Sequence, residues 1–188
     1  MRALLVCLAL MGCVNVRRPF HVPEPTSAGN GGIVLSVAVR EGHFKTHYAR
    51  YAAVGRVNSR GKLEEEVHSS NYFKDDLVYI MDLPPGRYAP VSGAYLYNGL
   101  KNAFAFDAKI TTAAAVEVTG GRLSFAGDVT TKIEKTGRSR LAVLGKIDRG
   151  RGAELAALTA AGKALAGTLW EEGVDRQRML IGDRKSVV

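Results

Sequence analysis

The sequence predicts a mainly β fold, an antiparallel β-sandwich of about eight strands followed by a C-terminal α-helical appendage. Three observations carry this. Between Gly32 and Asp148 apolar residues recur mostly at every second position, the period of a half-buried strand. Turn-forming glycines, prolines and asparagines cut that region at short intervals, with no helical pattern between them. After Asp148 the apolar period lengthens to that of a helix.

The chain has 188 residues, 46% hydrophobic and 23% charged, with a mean hydropathy of -0.03. This is ordinary composition for one soluble domain and excludes long membrane spans, collagen repeats and disulfide scaffolds. A folded part of roughly 150 residues buries about 68–70% of its unfolded surface and needs no metal or disulfide staple.

The first residues are of another kind. Arg2 supplies positive charge, and Ala3–Met11 is an unbroken apolar run. Nine such residues span about 14 Å as helix, whereas a bilayer core needs about 20 residues. The run suits the hydrophobic region of a secretory signal, which is removed and lies outside the fold. Leu10-Met11-Gly12-Cys13 resembles the processing box of bacterial lipoproteins, and the resemblance implies cleavage before Cys13 and lipidation of its thiol. Cysteine usage agrees. Only Cys7 and Cys13 exist, and Cys7 leaves with the signal, so the mature thiol has no disulfide partner in an oxidising compartment. The alternatives are an ordinary secretory signal cut elsewhere or a buried N-terminal strand. Val14 is not the aspartate that retains enterobacterial lipoproteins in the inner membrane. The resemblance therefore implies the outer membrane, with the domain facing the periplasm or cell surface. The division is residues 1–12 as signal, 13–32 as a lipid-anchored flexible linker, 33–148 as sandwich and 149–188 as a helical segment packing on it. The linker reading rests on Pro19, Pro23, Pro25, Gly29, Gly31 and Gly32.

Strands are expected near 33–40, 48–57, 77–83, 87–96, 103–107, 113–118, 122–132 and 139–147. Ile33, Leu35, Val37 and Val39 alternate with Val34, Ser36, Ala38 and Arg40. Leu123, Phe125, Val129 and Ile133 share one face by the same period. Leu77–Leu83 is more continuously apolar, as a central strand is. Twelve of the fourteen aromatics fall between Phe44 and Phe125, which suits a pleated, half-buried surface. Leu155, Leu158, Leu165 and Leu169 form the helical stripe, and a second short helix is expected from about Val174 to Ile181.

Leu83-Pro84-Pro85-Gly86-Arg87-Tyr88 resembles the L-P-x-G-x-Y turn of transthyretin-like (carboxypeptidase-regulatory-like) β-sandwich modules. Val118–Asp128 is similar to the strand pair that follows in envelope lipoproteins carrying such a module. The resemblance covers about residues 75–130. It implies a transthyretin-like, Ig-like sandwich in which Pro84, Pro85 and Gly86 make a structural turn and Tyr88 points into the core. It transfers no active site.

Formal net charge is +8, spread thinly rather than gathered on one stripe with aromatics, which argues against nucleic acid as partner. The densest clusters, Lys132/Lys135/Arg138/Arg140 and Arg149/Arg151, are interrupted by Glu134, Gly137 and Gly150. Of the four histidines, His43 and His47 have helical ligand spacing but sit in a strand-like pattern. Residues four apart in a strand lie about 13 Å apart, too far to share one zinc. Glu64, Glu65 and Glu66 with Asp75 and Asp76 fall in the polar stretch Asn58–Asp76, read as a long solvated loop or hairpin. This is the candidate interaction loop. No nucleophile elbow, phosphate loop, dinucleotide fingerprint or zincin helix is present.

The functional expectation is a non-enzymatic envelope lipoprotein. It needs no cofactor or metal, is held to the membrane through its N-terminal lipid, and displays loops or an open sheet edge to an envelope protein or polymer. Two alternatives stay open: a hydrolase using the 58–76 loop, or a carrier of a small apolar ligand lined by Tyr95, Tyr97, Phe104 and Phe106.

Overall fold

The computed structural model describes residues 22–41, 45–136 and 139–183. In chain order the elements are β1 (Gly31–Glu41), β2 (Lys45–Val57), β3 (Leu63–Ser69), β4 (Tyr72–Lys74), β5 (Leu77–Leu83), β6 (Gly86–Tyr97) and β7 (Leu100–Phe106). There follow α1 (Ala108–Ala113), β8 (Val116–Val118), β9 (Leu123–Thr136), β10 (Ser139–Asp148), α2 (Arg151–Ala164) and α3 (Glu171–Asp183). The chain is mainly β, as its two-residue period requires.

All ten strands belong to one mixed sheet, in the order β3-β2-β6-β7-β10-β9-β1-β5-β4, with β8 added to β6. A further antiparallel contact pairs Ala38–Glu41 of β1 with Lys45–Tyr48 of β2. That contact returns the path upon itself, so β1, β2, β6, β7, β10 and β9 form a closed circuit. Inside it lies the first core, with Ile33, Leu35, Val37 and Val39 from β1 meeting Tyr88, Tyr95, Phe104 and Phe106.

The expectation of about eight antiparallel strands needs three corrections. Two pairings are parallel: β1 with β9, from Gly32 against Leu123 to Arg40 against Lys132, and β7 with β10. A two-residue period is the same in either direction, so only the long-range partner decides. Secondly, the stretch expected as a long solvated loop or hairpin holds two strands, β3 and β4, which pair with β2 and β5. β3 carries Leu-Glu-Glu-Glu-Val-His-Ser on a sheet edge and is mostly exposed on both sides, so it has no alternation to detect. Thirdly, the strand expected at 113–118 is confined to Val116–Val118, and Ala113 is the last residue of helix α1. Asp107 caps it, its Oδ1 accepting from Ile110 N at 2.7 Å, and its single buried residue, Ile110, leaves no helical stripe to read.

Leu123, Phe125, Val129 and Ile133 do not share a face. The β1–β9 register slips between Val34 and Leu35, opposite Phe125 and Gly127, and Gly127 has φ of 130°. One extra residue in a strand exchanges its two faces. Val129 and Ile133 therefore join the inner core, while Leu123 and Phe125 point the other way.

That other face is where the helices lie. Val34, Leu77, Tyr79, Met81, Leu123 and Phe125 form a second core with Ala157, Leu158, Ala161, Leu165, Trp170, Val174 and Ile181. This explains why Leu77–Leu83 is continuously apolar, since β5 is covered on both sides. Leu169 departs from the predicted stripe and is 68% exposed. Helix α2 ends at Ala164 and Gly167 turns at φ of 76°, so Trp170 takes the buried position instead. Gly173 lies inside α3, where a Cβ would stand 2.1 Å from the Gly121 carbonyl oxygen. The missing side chain lets the helix backbone approach the β8–β9 turn.

The last part of the stretch read as linker is held against the domain. Val22 packs on the second core, and Pro23 O accepts from Trp170 Nε1 at 2.7 Å. Thr26 N and Oγ1 and Asn30 Nδ2 all donate to the Asp82 carboxylate.

Candidate functional site

The residues singled out from sequence fall in different parts of the fold. Cys13, His21 and His43 lie outside the described residues. The acidic groups of the 58–76 stretch are on separate elements. Glu64, Glu65 and Glu66 are exposed along β3, whereas Asp75 and Asp76 make the two-residue turn from β4 to β5. Their φ values of 50° and 60° give that turn the left-handed backbone that matches the twist of a tight hairpin. Asp75 and Asp76 thus have a structural explanation. The preceding turn is built by Asn58, whose Oδ1 accepts from Arg60 N and Lys62 N at 3.0 Å each.

Strand β3 is a terminus of the sheet path and, among the described residues, pairs with β2 alone. Glu66 and His68 lie on one face, and Leu63 and Val67 lie opposite Val57 and Gly55, on either side of a register shift. His68 is held there by ring contact with buried Tyr88, 5.7 Å between centroids, and its Nε2 lies 3.3 Å from Glu66 Oε1. Across the strand, Leu63 Cδ2 covers Gly55, where a Cβ would be 3.0 Å away. Leu63 and Val67 are nonetheless 46% and 38% exposed. The result is an open backbone edge flanked by three carboxylates and two aliphatic side chains.

Beside it, Arg56, Asn58, Ser59, Glu64, Arg87 and Glu117 line an open polar groove of about 630 Å³. Arg56 is drawn to the adjoining turn, Nη2 donating to Pro85 O at 3.2 Å. In that turn Gly86 has φ of 154°, and Tyr88 Oη donates to Pro84 O at 3.0 Å. Tyr88 is buried in the first core, and burial pushes its hydroxyl above the usual phenol range.

The aromatics considered as a ligand pocket are packed on one another. Phe104 meets Phe106 edge-on at 5.3 Å, and Tyr95 meets Phe104 at 6.3 Å. Tyr95, Phe104 and Phe106 are buried, while Tyr97 is half-buried and lies beneath Lys45. His47 stacks on Tyr95, 5.1 Å between centroids. Among the described residues no three of His, Cys, Asp and Glu group so as to hold a metal ion. Nor, among them, is any helix long and apolar enough to cross a membrane.

Sequence reasoning passed over Asp82. It is the sole charged residue in the apolar run Leu77–Leu83, which was itself the signal, since a carboxylate among buried neighbours requires donors. Burial raises its pKa, but hydrogen bonds from Asn30 and Thr26 outweigh burial and hold it below the ordinary aspartate value.

No family model matches the chain, and no curated protein matches it. Among solved structures, the chain is similar to a "putative cell adhesion protein" of Bacteroides fragilis NCTC 9343. That match has 8% identity and a TM-score of 0.35, covering 65% of this chain and 46% of the other. The chain thus spans about half the length of that protein. It also has a likeness to the dioxygenase domain of a dioxygenase carbohydrate-binding protein fusion from Streptomyces sp. SirexAA-E. There the identity is 10% and the TM-score 0.22, with 67% of this chain and 90% of the other covered.

Proposed function

We propose that this chain is a bacterial cell-envelope lipoprotein, lipidated at Cys13, whose domain is a β-sandwich that works by binding and not by catalysis. The observation that carries the binding role is the β3 edge. Its outward N–H and C=O groups have no strand partner among the described residues, and such an edge accepts an added strand from another chain. Edges of this kind are aggregation hazards that charge keeps apart. Glu64, Glu65 and Glu66 repel a second copy of the same edge and attract a basic one. The partner this selects is an extended envelope segment carrying lysine or arginine, with Leu63 and Val67 supplying apolar contact. The outer membrane is the proposed location, with the edge facing the periplasm or cell surface.

The experiment is site-specific photo-crosslinking in intact cells, with a photoreactive amino acid at Val67 and, as control, at Leu100. A discrete adduct at Val67 that vanishes in the Glu64→Lys/Glu65→Lys/Glu66→Lys variant is the expected result. Equal adducts at both positions, or none at Val67, would refute the edge as the binding site. Fatty-acid labelling tests the anchor separately, since Cys13→Ala removes the sole mature thiol and with it all incorporated label.

A further inference from the structure

We infer that the α2–α3 corner, with the exposed face of α3, rests on the bilayer surface, and that Leu169, Met179 and Leu180 reach into the headgroup region. This rests on lipidation at Cys13 as proposed above.

The first argument is the length of chain between the proposed anchor and the domain. By composition the tether would run to Gly32, but Pro23 is bonded to Trp170 and Thr26 and Asn30 to Asp82. From Cys13 to Val22 only nine residue steps remain. They reach at most about 30 Å fully extended and on the order of 16 Å as a flexible coil. A domain of about 150 residues has a radius of gyration near 15 Å. The stretch from Cys13 to Val22 is thus no longer than the domain it would hold, and the corner at which the described chain begins is the side nearest the lipid.

The second argument is what that corner exposes. Leu169, adjacent to Trp170, is 68% exposed, Met179 is 67% and Leu180 is 49%. On α3 the spacing from Glu172 to Arg176 to Met179 and Leu180 places these residues on one outward face. The charges beside the apolar side chains are paired locally, Arg176 with Glu172 at 2.5 Å and Arg178 with Asp175 at 2.8 Å. The face therefore offers aliphatic side chains whose neighbouring charges are already paired, and the aliphatic area is what insertion at the headgroup boundary would bury. Helices α2 and α3 cover the outer side of β1, β5 and β9, while β3 hydrogen-bonds to β2, which is not among the strands they cover.

Lipidation consumes the sole mature thiol, so Leu169→Cys and Met179→Cys each carry one reactive thiol, as do the controls Glu65→Cys and Leu100→Cys. The full-length lipidated proteins, labelled with an environment-sensitive fluorophore, are reconstituted into phosphatidylethanolamine–phosphatidylglycerol vesicles. Quenching by spin-labelled lipid is then compared with quenching by a water-soluble agent. Several-fold stronger lipid quenching at positions 169 and 179 than at 65 and 100 is expected. Equal quenching at all four positions, in protein whose mass includes the lipid, overturns the inference while leaving the lipoprotein reading intact. A mass without lipid overturns both. Shielding at 169 and 179 that persists without lipid and rises with protein concentration assigns the face to a second copy, and likewise overturns it.

Discussion

Asp82 ties the incoming chain to the end of β5, and its removal has a magnitude that follows from the structure. Its Oδ1 accepts from Thr26 N at 2.8 Å and Asn30 Nδ2 at 2.7 Å, and its Oδ2 accepts from Thr26 Oγ1 at 2.9 Å. Hydrogen bonds to a charged group contribute about 1.5–3 kcal/mol each. Partial solvent exposure weakens each bond, and the released Thr26–Asn30 turn regains conformational entropy. The loss for Asp82→Ala is therefore that of one broken hydrogen-bonded site, about 1–3 kcal/mol, or roughly 2–12 °C in Tm for a domain of this size. The backbone adds a second test. Asp82 has φ of 66°, a conformation glycine adopts without strain, so Asp82→Gly should lie about 1 kcal/mol above Asp82→Ala. The pH dependence has a definite sign. Because the folded pKa is lowered beneath the ordinary aspartate value, the contribution is complete above that value. It is lost as pH falls through the still lower folded pKa. Urea denaturation of wild type, Asp82→Ala, Asp82→Gly and Asp82→Asn at neutral and strongly acid pH measures all of this. The gap between wild type and Asp82→Asn should narrow in acid. Variants as stable as wild type, or alanine equal to glycine, would refute the latch.

Further outcomes are expected at three glycines and in the helical segment. Gly173→Ala should destabilise by about 1–3 kcal/mol through overpacking against Gly121, despite alanine's better helix propensity. Gly152→Ala, at a position with nothing within 4 Å, should be neutral or stabilise by up to about 1 kcal/mol; chemical denaturation of the pair separates contact from propensity. Gly86→Val should cost one to a few kcal/mol, read as a fall in Tm, because φ of 154° strains a β-branched residue. Truncation after Asp148 should cost solubility or several kcal/mol, since it bares Val34, Tyr79, Met81 and Phe125, each fully buried side chain being worth about 1.5–3 kcal/mol. In the intact chain Trp170, 3% exposed, should emit at short wavelength; water-like emission would contradict its packing.

What the sequence determined by itself is whatever local periodicity and turn chemistry encode. The alternation of Ile33–Val39, the turns at Pro84-Pro85-Gly86 and Asn98-Gly99, and the change of period after Asp148 all depend on neighbours within a few residues, and the corresponding elements are present. The tertiary structure decided what depends on distant partners. Parallel or antiparallel pairing leaves no trace in a two-residue period, so the mating of β1 with β9 was illegible. The bulge at Gly127 exchanged the faces of β9 without altering its composition. β3 is a strand because β2 offers it an edge, although its own residues, exposed on both faces, carry no apolar pattern. Asp82 was visible as an oddity in an apolar strand, but its donors lie more than fifty residues away in chain that composition marks as linker. The candidate edge follows the same rule. Its three glutamates were legible as charge, and only the order of strands made them the border of an unpaired edge.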